Sequence, residues 1–410
     1  MKRSWQTIRL GNYCLKIGSG STPRGGEQVY QSEGVSLIRS QNVYNGQFTT
    51  EGLAFLGDEE ATRLDGVTVE TNDVLLNITG DSVARCCQVP DSVLPARVNQ
   101  HVAIIRPKPD YFDPRFFKYF LISPFMQATM LSLAGSGGTR KALTKEMIQC
   151  FDIPKPPLPT QQRIASILSA YDGLMENNRR RMALLENAAR LLYDEWFVRL
   201  RFPGFEHTPI IDGLPQGWKH RRIGDIAECV GGGTPSTKVP NYWDDGDISW
   251  VTPTDVTRND HFILLDSEKK ITESGLENSS AKLVPPHAVL MTSRASVGYF
   301  AVVGRKICTN QGFISIVAND VVFANFLLFQ LSRRVEEIRG MGSGSTFPEV
   351  SRGKFREFQV QLPPQRIVSD FDEQSALLLK QIRILKLQNH KLRAARDLLL
   401  PRLMSGEIEV

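Results

Sequence analysis

The stretch LPTQQRIASIL, residues 158–168, has a near copy in LPPQRIVSDF, residues 362–371. Arg163 and Arg366 are 366 − 163 = 203 residues apart, and an internal repeat must be settled before any fold is considered. Working outward, GSTP (20–23) is answered by GGTP (232–235), and DSV (81–83) by ASV (295–297). VNQHVAII (98–105) matches TNQGFISI (309–316), and GSGGT (135–139) matches GSGST (342–346). The offsets run 232 − 20 = 212, 295 − 81 = 214, 309 − 98 = 211, 342 − 135 = 207 and finally 203, with order kept throughout. Small loop changes between two diverged copies produce such a drift, so the chain is a tandem duplication of about half its length.

Each copy has two parts. The first, residues 1–157 and again 217–364, places short apolar runs such as DVLLNI, HVAII, AVLMT and FISIV between Gly, Pro, Ser and Thr punctuation. Runs of this length read as buried strands. A segment of helical character follows in both copies, and no alternating βαβ pattern is present, so each unit is expected to be a mixed α/β domain with irregular sheet order. The second part is different in kind. Ile164, Leu168, Tyr171, Met175, Asn178, Met182, Leu185, Ala189, Leu192 and Trp196 step by four and three, a heptad seam. In the second copy Phe371, Leu378, Leu385, Leu392 and Leu399 hold one seam position, with Ile367, Gln374, Gln381, Gln388 and Ala395 assigned to the other. Roughly 36 helical residues at ~1.5 Å each make a rod of about 54 Å.

The expected fold class is therefore α/β (α+β): a duplicated mixed α/β domain followed by a long helix. The two helices are expected to pair as an antiparallel coiled coil with pseudo-two-fold symmetry. The divisions are a first domain over 1–157, a helix over 158–202, a linker over 203–216, a second domain over 217–364, and a second helix with its tail over 365–410.

Composition excludes several classes. With 41% hydrophobic and 23% charged residues in 410, the chain can bury real cores, and a net charge of +5 suits a polyanionic partner without identifying one. The six cysteines, Cys14, Cys86, Cys87, Cys150, Cys229 and Cys308, form no CxxC pair, which argues against a structural zinc site and for reduced, mostly buried thiols. The N-terminus lacks an apolar signal core and no run of ~18 apolar residues occurs, so a cytoplasmic protein without membrane contact is expected. A DNA adenine methyltransferase needs a Gly-rich cofactor turn and an Asp/Asn-Pro-Pro-aromatic motif. The Pro-Pro pairs beginning at Pro156, Pro285 and Pro363 have neither the polar residue before nor the aromatic after. Asp266-Ser267-Glu268-Lys269-Lys270 contains a nuclease-like Glu-x-Lys, but a tripeptide this short arises by chance. No catalytic residue and no metal ligand is assigned.

The loops that recur in both copies are candidates for shared contacts to a phosphate backbone, which Arg, Lys, Ser, Thr and backbone amides supply. In the first domain these are Ser21, Thr22, Arg24, Thr79, Ser82, Arg140 and Lys141; in the second, Thr234, Ser236, Lys238, Ser293, Arg294 and Ser345. GSTP and GGTP read equally as plain turns, because Gly and Pro punctuate chains. Specificity is expected where the copies differ: Arg39, Gln41 and Asn42 lie opposite Thr252, Thr254 and Asp255, and Arg, Gln and Asn side chains make bidentate contacts to base edges. Asn99-Gln100 and Asn310-Gln311 occur in both copies, which points to an amide clasp or a phosphate contact. Arg179, Arg180 and Arg181 fan around a helix and face mostly solvent, open to a phosphate or a partner.

Three further stretches carry a family resemblance. NNRRRMALLENAARLLYDEWFVRLRF (177–202), RFPGFEHTPIIDGLPQGW (201–218) and LLPRLMSGEIEV (399–410) resemble the conserved regions of type I restriction-modification specificity subunits. The resemblance spans the chain and is tightest in helices and linker. It implies a non-catalytic subunit whose two target-recognition domains each read half of a bipartite double-stranded DNA site, the helices setting the gap. It further implies two modification subunits that bind S-adenosylmethionine, and two restriction subunits that use ATP and Mg. A duplicated scaffold binding protein or RNA is the competing reading, and a self-contained nuclease relying on Glu268 a third.

Overall fold

The computed structural model describes residues 5–135, 141–342 and 348–410. The chain divides into two compact units: Met1–Met175 with Lys391–Val410, and Glu176–His390. Each boundary falls inside a long helix, so each unit takes a portion of both helices, a grouping that the expected division into domains and separate helices did not contain.

The first unit has two four-stranded sheets. One is antiparallel, in the order Cys14–Ser19, Val102–Pro107, Val74–Asn77, Cys86–Gln88. The other runs Ala54–Leu56, Val35–Ile38, Ala96–Val98, Thr68–Val69, its central pair parallel. The second unit repeats this plan. Ala227–Gly231, Phe313–Ala318, Val289–Thr292 and Phe300–Val303 are ordered as in the first antiparallel sheet, with Ile263–Leu264 added at the edge. Lys269–Ile271, Ile248–Val251 and Cys308–Thr309 form the second sheet, again with one parallel pair. A two-stranded ribbon closes each unit, Thr7–Arg9 with Asp152–Pro154 and Lys219–Arg222 with Gln359–Leu362. The duplication read from sequence is thus a duplication of topology. The buried runs VLLN and VLMT are apolar on both faces because each central strand has a core on either side.

The long helices run Leu158–Tyr193 and Gln365–Met404. A π-helical turn, Asp194–Val198, ends the first, and its wider winding brings the neighbours Trp196 and Phe197 into the core together. The first seam lies as expected: Ile164, Leu168, Met175, Asn178, Met182 and Ala189 are buried, Leu185 and Leu192 partly so. The second seam is corrected by one residue. Gln374, Gln381 and Gln388 are exposed, and the buried positions beside Phe371 and Leu385 are Val368, Ser375 and Ile382, with Asn389 next in the series. Heptad spacing allows a companion three or four residues before each leucine; the chain uses three, which turns the glutamines to solvent. Leu378, Leu392 and Leu399 are half-buried. Within the second unit the helices run antiparallel where they meet: Trp196 packs on Phe371, and Asn178 donates to Asn389 at 2.8 Å.

Candidate nucleic-acid interface

The recurrent loops converge on one edge of each unit, built on the same backbone hydrogen bonds. In the first unit Ser21 N donates to Val98 O (3.0 Å), and in the second Gly233 N donates to Thr309 O (2.9 Å). Gly20 and Gly232 sit where a Cβ would overlap the carbonyl oxygens of Val98 and Asn310, so no side chain fits. Across this approach Thr22 donates to Gln100 Oε1, and Thr234 donates to Gln311 Oε1 at 2.6 Å. The glutamine of each Asn-Gln pair therefore clasps the glycine loop, while Asn99 and Asn310 accept from the backbone two residues on, at 3.1 and 2.9 Å.

The second loop is duplicated just as closely. Asn77 N donates to Arg85 O and Ala84 N to Asn77 O; Thr292 N donates to Tyr299 O and Gly298 N to Thr292 O. The turn takes positive φ at Gly80 and Ala84 in one copy and at Ala295 and Gly298 in the other. Ile78 N then donates to His101 O and Ser293 N to Gly312 O, so this loop lies against the Asn-Gln turn in both units. The chain beyond the third loop pairs here too, through the bridges Thr79 to Ala142 and Arg294 to Glu349. Arg140 and Ser345 lie outside the described residues.

Ser21, Thr22, Arg24, Lys141, Ser236, Lys238 and Arg294 are exposed on this edge, and Thr79, Ser82 and Thr234 are half-buried. Arg294 is held by Glu349 at 2.8 Å, and Thr79 Oγ1 lies 2.6 Å from His101 Nδ1. Ser293 is different: it is buried, and its backbone joins two segments, a structural place rather than an exposed contact.

The positions expected to read bases have mixed environments. Asn42 is fully buried, and its amide bonds Arg39 N (2.9 Å), Thr49 O (3.0 Å) and Glu51 O (3.2 Å). It holds a turn and has no group left for a base. Asp255 does the same for Thr252 N at 2.7 Å, and it also accepts from Glu268 N at 2.9 Å. These two short polar residues cap corresponding turns, a signal that the sequence carried as an acceptor three residues after the turn start. Arg39 and Gln41 both donate to Gly52 O, at 2.7 and 3.1 Å, and Arg39 also reaches Glu27 at 3.2 Å and covers the Tyr30 ring. Thr254 is exposed.

Sequence reasoning missed the buried charges that fix each domain to its helices. In the first unit Asp172 accepts from Tyr119 Oη (2.5 Å) and Arg396 (2.6 Å), with Lys118 at 3.4 Å. Burial raises its pKa, yet Lys118, Tyr119 and Arg396 outweigh this and hold the carboxyl below its ordinary value. In the second unit Glu186 accepts from Phe262 N and Arg190, both at 2.8 Å. Lys386 Nζ donates to Ile263 O at 2.7 Å and to Asn259, and burial pushes its pKa down to about 8.

The carboxylates of the Glu-x-Lys stretch are solvent-facing or paired. Glu268 is exposed, and Asp266 is spent on Ser249, Arg305 and Lys270. Among the described residues no group of three His, Cys, Asp or Glu side chains is placed to hold a metal ion. Burial pushes the thiols of Cys14 and Cys87 up to about 12 and those of Cys229 and Cys308 to about 11. Among the described residues no helix is long and apolar enough to cross a membrane.

Comparison with known proteins places these features in context. The model of the type I restriction modification DNA specificity domain matches residues 2–187 and 215–393. The specificity subunit of the type I restriction enzyme MjaIX from Methanocaldococcus jannaschii is 37% identical over 161 residues, covering 39% of this chain and 37% of that relative. The HindI specificity subunit from Haemophilus influenzae is 22% identical over 374 residues, covering 76% and 81%. The crystal structure of a type I restriction-modification S subunit from M. genitalium superposes with a TM-score of 0.61 at 15% identity, over 98% of this chain and 96% of that one. At that identity the likeness speaks for the fold.

Proposed function

The chain belongs to the type I restriction-modification DNA specificity family, and we propose that it directs methylation to a bipartite, asymmetric sequence in double-stranded DNA. Each domain reads one half-site, and the two long helices set the unspecified gap and dock two modification subunits. S-adenosylmethionine belongs to those subunits, and ATP with Mg to restriction subunits that join them. The single observation that supports this reading best is the duplicated loop edge. Two units carry the same hydrogen-bonded framework, yet differ in the residues mounted after Val35–Ile38 and Ile248–Val251. A shared frame with unlike readers is what two different half-sites require.

The experiment is adenine-methylation mapping by long-read sequencing in a methylation-free host, with this chain expressed with and without its modification subunit. One gapped, asymmetric motif that appears only with both is the expected result. An assembled complex that methylates no motif overturns the reading.

A further inference from the structure

In the second domain the loop that carries Ser236 and Lys238 continues into a cleft that the recurrent frame does not include. It has a volume of about 530 Å³ and is lined by Thr237, Pro240, Trp243, Asp244, Lys269 and Lys270. Its aromatic wall is fixed from two sides: Trp243 donates from Nε1 to Ser236 O at 3.0 Å, and its ring stands edge-on to Trp250, 5.0 Å between centroids. Trp250 in turn donates to Gly233 O at 2.9 Å, inside the recurrent glycine loop. The cleft is thus rigidly continuous with the edge described above. Lys270 is paired with Asp266 at 3.5 Å, whereas Lys269 is exposed and forms no ion pair among the described residues.

In the first domain an arginine covers the corresponding aromatic ring. Tyr30 and Trp243 are each the residue that ends the short 3-10 turn ahead of the parallel strand. Arg39 lies over the Tyr30 ring, 5.3 Å from its centroid, and is anchored by Glu27 and Gly52. The second domain has Thr252 where the first has Arg39, a side chain too short to reach across. Its aromatic wall lines the cleft beside the Lys269 ammonium and the exposed carboxylate of Asp244.

Resting on the DNA reading above, we propose that this cleft is an additional base-reading subsite possessed by the second domain alone. Asp244 accepts from the exocyclic amine of a cytosine or adenine in the duplex, a pairing that carboxylates make at base edges. Lys269 and Thr237 hold the neighbouring phosphate, and Trp243 supplies the apolar wall that excludes water. The second half-site therefore contains one specified position more than the recurrent frame alone would read.

The test uses the full chain co-expressed with its modification subunit. Asp244→Ala should make one position of one half-site degenerate, with discrimination there falling about tenfold, while the other half-site stays unchanged and reports intact folding. Lys269→Ala should leave the motif unaltered, weaken duplex binding several-fold, and reduce the slope of log affinity against log salt by about 1. An unchanged motif with Asp244→Ala, together with unchanged binding and salt slope for Lys269→Ala, overturns the subsite and leaves the DNA reading standing. Absence of any motif with the wild-type chain removes the DNA reading and the subsite with it.

Discussion

The two units share a frame hydrogen bond for hydrogen bond, but they are fastened to their helices by opposite means. The first buries a base, Lys118, whose half-buried partner Asp172 also accepts from Tyr119 and Arg396. The second buries an acid, Glu186, which accepts from Phe262 N, with Lys386 half-buried against Asn259 and Ile263 O. Backbone geometry has therefore been kept where the loops must converge, and side-chain chemistry has drifted where only attachment is needed. A charge enclosed by its partners is costly to break and inexpensive to replace as a set, which explains how each copy could settle on its own solution.

That contrast gives the largest expected effect. Asp172→Ala leaves Lys118 buried and Arg396 short of its main partner, so unfolding of the first unit should become easier by about 3–5 kcal/mol. Urea titration followed at the level of each unit checks this; a loss spread equally over both units would break the comparison. The shared frame should be sensitive in both units alike. Gly20→Ala and Gly232→Ala each drive a methyl into a carbonyl oxygen, with an expected cost of about 1–3 kcal/mol. In methylation mapping each should damage recognition of its own half-site. If either variant leaves its half-site intact, the recurrent edge is not where DNA is held.

Lys386 sharpens the contrast through pH. Its folded pKa is lowered from 10.5 to about 8, so between these values the unfolded chain holds a proton that the folded chain has released. Stability rises with pH wherever the unfolded state binds more protons. The second unit should therefore gain stability from about pH 8 to about pH 10, by roughly 2 kcal/mol after allowing for partial exposure of the side chain. Lys386→Met should flatten this rise. Denaturant midpoints of both proteins across that range decide it, and a parallel rise in the variant would exclude Lys386 as the source.

Much of this architecture is legible in the sequence, and the parts that are not have a common physical cause. The duplication, the short doubly buried strands and the first seam follow from apolar spacing and punctuation, which are local. The clasp is half legible: Asn99-Gln100 and Asn310-Gln311 announce a repeated amide, but their partners Thr22 and Thr234 stand 78 and 77 residues away. Asn42 and Asp255 look like base readers because a polar side chain after a strand suits either a groove or a turn. Only burial separates the two. The second seam slipped by one residue because leucines every seven fix one line of the stripe and leave the other to tertiary contact. Lys118 and Glu186 sit among many helical charges, and sequence spacing says nothing about which of them are enclosed.

The corrected seam carries the smallest prediction. Asn178 meets Asn389 at 2.8 Å inside the second unit, a neutral amide pair, whereas Asp172 meets Arg396 at 2.6 Å inside the first, a charged one. Both contacts join the same two helices, so their difference isolates the effect of charge. In a double-mutant cycle to alanine the amide pair should show a coupling of about 0.5–1.5 kcal/mol, as neutral hydrogen bonds do, and the charged pair about twice that. Raising salt should leave both nearly unchanged, because each pair is largely shielded from solvent ions. Equal couplings would mean that burial costs the charged pair all of its electrostatic advantage. The first unit would then be held to its helices by apolar packing of Leu168, Leu400 and Leu403, with Asp172 serving to fix register.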